Sequence, residues 1–185
     1  MRIRYVDGYQ IRNTVETDFS QWGDKVTYPF IPKGEIWIDK FLRPEKDRLL
    51  ALYQLEQMMK GKPFRKIRAA AQKHFSDEMA ELVVVKRQTI KQLRIQYVDG
   101  ASVRRKFDPY FIQGGHDLVY PYIPKNHIWI DTRQDKREFK YTLVHELHER
   151  NLMAHGMAYL DAHDFAIAAE KMARRKNGVA DFIRG

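Results

Sequence analysis

Three blocks of this chain occur twice in a single register. Ile3-Arg4-Tyr5-Val6-Asp7-Gly8 returns as Ile95-Gln96-Tyr97-Val98-Asp99-Gly100. Tyr28-Pro29-Phe30-Ile31-Pro32-Lys33 returns as Tyr120-Pro121-Tyr122-Ile123-Pro124-Lys125, and Ile36-Trp37-Ile38-Asp39 as Ile128-Trp129-Ile130-Asp131. Each pair is 92 positions apart with no gap. Chance does not align three separate blocks this way, and self-similarity at one period restricts the fold to a unit built twice. The expectation is a tandem duplication of a small α+β unit. Residues 1–82 form the first repeat, 83–92 a connecting segment and 93–185 the second repeat.

Each block reads as β structure. The run Ile-x-Tyr-Val ends in Asp-Gly, a hairpin signal, which predicts a second strand at Gln10-Ile11-Arg12 and at Ser102-Val103-Arg104. The prolines of Tyr-Pro-aromatic-Ile indicate an edge or turn, and Ile-Trp-Ile-Asp completes a small antiparallel sheet. A helical hairpin follows in each repeat. The first predicted pair covers Pro44–Met59 and Phe64–Leu82, with Pro44 suited to the first turn. The second covers Lys136–Ala154 and Met157–Lys176, turning at Gly156. Val83-Val84-Val85 leads into the second repeat. Asp7, Asp39, Asp99 and Asp131 recur in both repeats, which marks them as turn or cap residues.

With 44% hydrophobic and 31% charged residues, the composition is that of a globular protein. The absence of cysteine excludes disulfides and thiolate metal sites. It also fits a reducing compartment. No apolar run approaches the ~18 residues of a membrane span, and the N-terminus lacks the apolar core of a signal peptide; a cytoplasmic location is expected. The net charge of +9 favours polyanions. Between Gln57 and Ser76 no acidic residue occurs, and Lys62, Arg65, Lys66 and Arg68 are the candidate nucleic-acid contacts there. A solvated helix face accounts for the same run.

The second repeat alone carries Leu143-Val144-His145-Glu146-Leu147-His148-Glu149. On a helix His145 and Glu149 lie one above the other, a spacing that offers a metal two adjacent positions. In an antiparallel hairpin turning near Gly156, His163 falls between the levels of His145 and Glu149 at a rise of about 1.5 Å per residue. Glu170 lies a turn further on and suits a supporting role or a fourth ligand, with Tyr159 on the same stripe. The helix is apolar on several sides, and buried His and Glu must be paired or metal-bound. At the 92-residue offset the first repeat has Tyr53, Gln54, Gln57 and Ala71 in place of His145, Glu146, Glu149 and His163. His116 and His127, at loop and turn positions, are read as surface residues, and His148 and His155 as solvent-facing.

The segment resembles the zinc helix of zincin-type metallopeptidases, whose pattern is His-Glu-x-x-His with a downstream third ligand. The resemblance covers His145 to Glu149, with His163 matched by position, and Glu149 stands where zincins carry a second His. It implies zinc as cofactor, His145 as a ligand and Glu146 as general base on a zinc-bound water. The rest of the chain looks like a small prokaryotic or phage protein rather than a zincin. Two functions follow: a metal-dependent hydrolase with ligands His145, Glu149 and His163, or a binding or scaffold protein for nucleic acid in which the cluster is a buried network.

Overall fold

Two short sheets, each followed by a pair of helices, make an α+β fold. The structure, a computed structural model, describes residues 1–176; the end of the second repeat, 177–185, lies outside the described residues. The first half contains β1 (Arg2–Val6), α1 (Gly8–Thr14), β2 (Trp22–Asp24), β3 (Glu35–Asp39), α2 (Lys46–Met58) and α3 (Phe64–Phe75). The second contains β4 (Val84–Ile90), β5 (Leu93–Val98), α4 (Gly100–Lys106), β6 (Gly114–His116), β7 (His127–Asp131), α5 (Phe139–Ala154) and α6 (Tyr159–Arg175). Turns of 3-10 helix at Lys40–Glu45 and Lys136–Glu138 lead into α2 and α5, and Pro44 sits in the first of them. Among the described residues no helix is long and apolar enough to cross a membrane.

The sheets are mixed, not antiparallel. β1 runs parallel to β3, with Arg2 opposite Glu35, and β5 runs parallel to β7, with Arg94 opposite His127. β2 and β6 are the antiparallel partners, placing Gly23 against Trp37 and Gly115 against Trp129. Each of these registers in the second half is the first-half register shifted by 92. Val83-Val84-Val85 is more than a connector, because β4 adds a fourth, antiparallel strand beside β5.

The Asp-Gly pairs explain the parallel topology. They start helices instead of turning hairpins, so Gln10–Arg12 and Ser102–Arg104 are helical. Asp7 accepts the Gln10 amide at 3.1 Å and Asp99 the Ala101 amide at 3.3 Å, the N-cap role of Asp. The glycines are required by packing. A Cβ on Gly8 would lie 1.9 Å from Asp39 Oδ2, and one on Gly100 about 2.0 Å from the Asp131 carboxylate. The chain therefore leaves β1 through a helix, runs back as the antiparallel edge strand β2, and only then lies beside β1 as the parallel strand β3.

One face of each sheet buries equivalent side chains. Val6, Ile11, Phe19, Tyr28, Phe30, Ile31 and Trp37 cluster in the first half; Val98, Val103, Phe111, Tyr120, Tyr122, Ile123 and Trp129 do so at the same positions in the second. The Tyr-Pro blocks are thus turns whose aromatic rings cover the sheet. The opposite faces pack on α2 through Leu49 and on α5 through Leu143. α3 stops at Phe75, short of Leu82, where Asp77 accepts the Met79 amide in an Asx turn.

The halves are joined by reciprocal buried ion pairs. Arg12 bonds Asp39 (3.2 Å) and the Phe19 carbonyl (2.9 Å) within its own half, then Glu138 (2.9 Å) of the other. Arg104 bonds Asp131 (2.6 Å) and the Phe111 carbonyl (2.7 Å), then Glu45 (2.6 Å) across the seam. Both arginines are fully buried, so their carboxylate partners are what makes their charge tolerable there.

Candidate metal centre

α5 and α6 form an antiparallel hairpin around Gly156, which takes the left-handed φ of 93° that suits glycine. The inner face of α5 is buried, including Glu146 and Glu149. Three of the residues singled out in the sequence meet there. His163 Nδ1 lies 2.7 Å from Glu149 Oε2 and 3.2 Å from His145 Nε2, and His145 Nε2 lies 3.5 Å from Glu149 Oε2. Ligand atoms about 2.0–2.1 Å from a tetrahedral zinc lie about 3.3–3.4 Å from one another; the two distances to His145 Nε2 match that edge, and the 2.7 Å hydrogen bond between Glu149 and His163 would widen by about 0.6 Å around such an ion.

The remaining polar atom of each residue is committed elsewhere, which decides what each can do. His145 Nδ1 faces Glu170 Oε2 at 3.1 Å, and His163 Nε2 faces Asp18 Oδ1 at 3.7 Å. A proton on those outer nitrogens leaves Nε2 of His145 and Nδ1 of His163 as lone-pair donors, the carboxylate–histidine–metal relation. Glu149 Oε1 is held by His116 Nε2 at 3.0 Å, which leaves Oε2 for the centre. Tyr159 stacks on the His163 ring at 5.6 Å between centroids. Glu170 supports rather than ligates, because its other oxygen is occupied by Arg174.

His116 is not the surface residue expected from its loop position; it is fully buried. With Glu146 and Glu149 it forms a second group of converging donors, its atoms within 4.8 Å of one another. His116 Nδ1 accepts the Leu118 amide at 3.2 Å, so the ring proton sits on Nε2 and points at Glu149. A cation at Nε2 would need that proton moved to a nitrogen already facing a donor. His116 therefore orients Glu149, and the first group is the better-placed candidate to hold a metal. His148 and His127 are half-buried and His155 exposed.

Electrostatics follow from this packing. Burial alone disfavours a charged His145, but hydrogen bonds to Glu149 and Glu170 outweigh it and raise the imidazole to about 10. Asp18 first, then Glu149, raise His163 to about 9. Burial pushes Glu149 up, yet three histidines overcome it and hold the carboxyl well below its usual range. Glu146 is lifted by burial to about 7, against the pull of His145. It does not pair with Arg150, which is taken by Asp117 at 2.6 Å. Its carboxylate lines the same cleft as His145, Glu149 and His163, a space of about 190 Å³.

Gly114 on β6 lets α5 approach this closely. A Cβ there would lie 2.8 Å from Thr142 Cγ2 and 2.9 Å from Glu146 Oε1. Gly114→Ala is expected to cost about 1–3 kcal/mol by overpacking, read by urea denaturation, and to displace the Glu146 carboxylate. Unchanged stability would show that α5 can back away from the sheet.

A buried relay ties the centre to the first half. Glu170 bonds Arg174 (2.9 Å), Arg174 bonds Glu138 (2.5 Å), and Glu138 bonds Arg12 (2.9 Å). Neither this relay nor Asp18 and His116 was foreseen from the sequence. One signal was available for His116: it replaces Asp24 at the repeat offset, just as His145, Glu149 and His163 replace Tyr53, Gln57 and Ala71. The candidate nucleic-acid contacts divide. Lys62, Arg65 and Lys66 are exposed, whereas Arg68 is half-buried and paired with Asp108, so it is not a free surface cation. No known protein family, curated protein or solved structure matches this chain.

Proposed function

We propose that the protein is a metal-dependent hydrolase whose ion is held by His145, Glu149 and His163. The observation carrying this reading is the convergence of one donor atom from each residue, at 2.7–3.5 Å, with the outer atom of each facing a polar partner. Two nitrogens, one carboxylate oxygen and an open side toward the cleft form a donor set suited to zinc. When bound, zinc lowers the pKa of a coordinated water to about 7 and polarises the bond to be cleaved. Glu146 takes the proton from the attacking water and returns it to the leaving group. Glu170 would keep the His145 proton on Nδ1, Asp18 adds a negative charge 3.7 Å from His163 Nε2, and His116 would keep Glu149 Oε2 free for the ion.

The test is the metal content of untagged protein purified without chelators. Stoichiometric zinc that survives dialysis is expected. Absence of any metal, even after incubation with zinc, would leave the cluster as a buried hydrogen-bond network. Glu146→Gln should keep the zinc and the melting temperature. It should lower turnover of a panel of ester, amide and phosphodiester substrates by about 10²–10⁴-fold, the usual contribution of a general base. Full activity in this variant would remove Glu146 from the chemistry.

A further inference from the structure

The cleft at the metal centre opens into a larger groove of about 720 Å³, and Ser20, Ile112, Val119, Tyr120 and Tyr159 line both. Ser20 and Ile112 are equivalent residues of the two halves, 92 apart, so the two spaces meet at the seam. In the first half the groove occupies the place that the metal cleft has in the second. Asp24 and Tyr53 stand at the positions of His116 and His145 and bond one another at 3.1 Å. No ligand set remains there, and the walls are aromatic: Trp22, Tyr53, Phe64 and Tyr110, continuing through Tyr120 and Tyr159 toward the centre. Phe64 is 55% exposed and meets Tyr110 in an edge-to-face contact, so about half of its surface is free for a ligand.

The rim of this groove is basic. α3 forms one wall through Phe64, Ile67 and Arg68, and Lys62, Arg65 and Lys66 around Phe64 are exposed. On the other side Lys25 is exposed between Asp24 and Val26, both of which line the groove. Of the two acidic lining groups, Asp24 is already satisfied by the Val26 and Thr27 amides and by Tyr53, and Glu56 is half-buried with its carboxyl raised by that burial. Exposed ring faces on a groove rimmed by cations are how proteins hold single-stranded nucleic acid, through stacked bases and neutralised phosphates. A duplex hides its base faces and cannot use such walls.

We propose that this groove binds a single-stranded polynucleotide, which is the substrate of the metal centre. The substrate assignment rests on the hydrolase reading above; the binding does not. In the reaction the water oxygen bonds to phosphorus as the bond from phosphorus to the leaving sugar oxygen breaks. Glu146 passes the water proton to that oxygen, giving a phosphomonoester and an alcohol.

The experiment has two arms. In EDTA, fluorescence anisotropy with a short labelled oligo(dT) is expected to show binding that weakens steeply with salt. Phe64→Ala should weaken it about tenfold through lost stacking, with an unchanged melting temperature. The triple change Lys62→Glu, Arg65→Glu, Lys66→Glu should weaken it further and flatten the salt dependence. No binding in EDTA, or equal affinity for duplex with no effect of Phe64→Ala, overturns the groove assignment and leaves the metal reading intact. In the second arm zinc-loaded protein should shorten the oligonucleotide and Glu146→Gln should not. Cleavage of an unstructured polypeptide with none of the oligonucleotide overturns the substrate assignment while upholding the hydrolase. Binding without zinc uptake would sink the hydrolase reading alone.

Discussion

Arg12→Ala and Arg104→Ala are each expected to destabilise the protein by about 3–5 kcal/mol, because each strands a fully buried aspartate, Asp39 or Asp131, without a counter-charge and breaks a pair across the seam. Removing Arg12 leaves Asp39 unpaired and Glu138 with Arg174 alone; removing Arg104 leaves Asp131 and Glu45 unpaired. The two variants should differ at the metal centre. Arg12 is connected through Glu138, Arg174 and Glu170 to His145 Nδ1, whereas Arg104 bonds Glu45, Asp131 and the Phe111 carbonyl. Loss of an outer partner typically costs about 10–100-fold in metal affinity, and that loss is expected for Arg12→Ala only. Urea denaturation measures the first effect and competition with a chromophoric chelator the second. Equal weakening of metal binding in both variants would mean that general loosening, not the relay, controls the centre.

His145→Ala is expected to reduce bound zinc from stoichiometric to background. Binding energy adds to folding energy, so the wild-type protein with zinc present at a thousandfold over its dissociation constant should gain about 4 kcal/mol over the metal-free form. The variant should gain nothing from added zinc. Calorimetric melting with and without zinc reads this difference directly. A wild-type melting temperature indifferent to zinc would contradict the proposed centre. Under the buried-network alternative, His163→Ala would cost about 1–3 kcal/mol by leaving Glu149 short of a partner, with no metal-dependent component.

The sequence repeat at one offset was sufficient to locate β1, β3, β5 and β7, the two tryptophans and the two helical hairpins, because burial of one sheet face imposes the same apolar pattern wherever the unit recurs; it put strands at Gln10–Arg12 and Ser102–Arg104, which are helical, and missed the three-residue strands β2 and β6. The spacing of His145, Glu149 and His163 was legible for a similar reason: within a helix and its antiparallel neighbour, position along the chain fixes position in space. Strand direction was not. Asp-Gly is equally consistent with a hairpin and a helix start, and only the approach of Asp39 to Gly8 and of Asp131 to Gly100 decides between them. The partners of the centre lay beyond reach as well. His116 is 33 residues from Glu149, and Glu138 is 126 from Arg12. Contacts over such separations depend on how the two sheets and the helical hairpin pack, and nothing in the local pattern around His116, Asp18 or Arg12 encodes that packing. The sequence by itself determined the repeated blocks, their register and the convergence of His145, Glu149 and His163. The tertiary structure alone decided which carboxylate faces each histidine of the cluster, that the first half supplies Asp18, and that a buried chain of charges ties the centre to the opposite half.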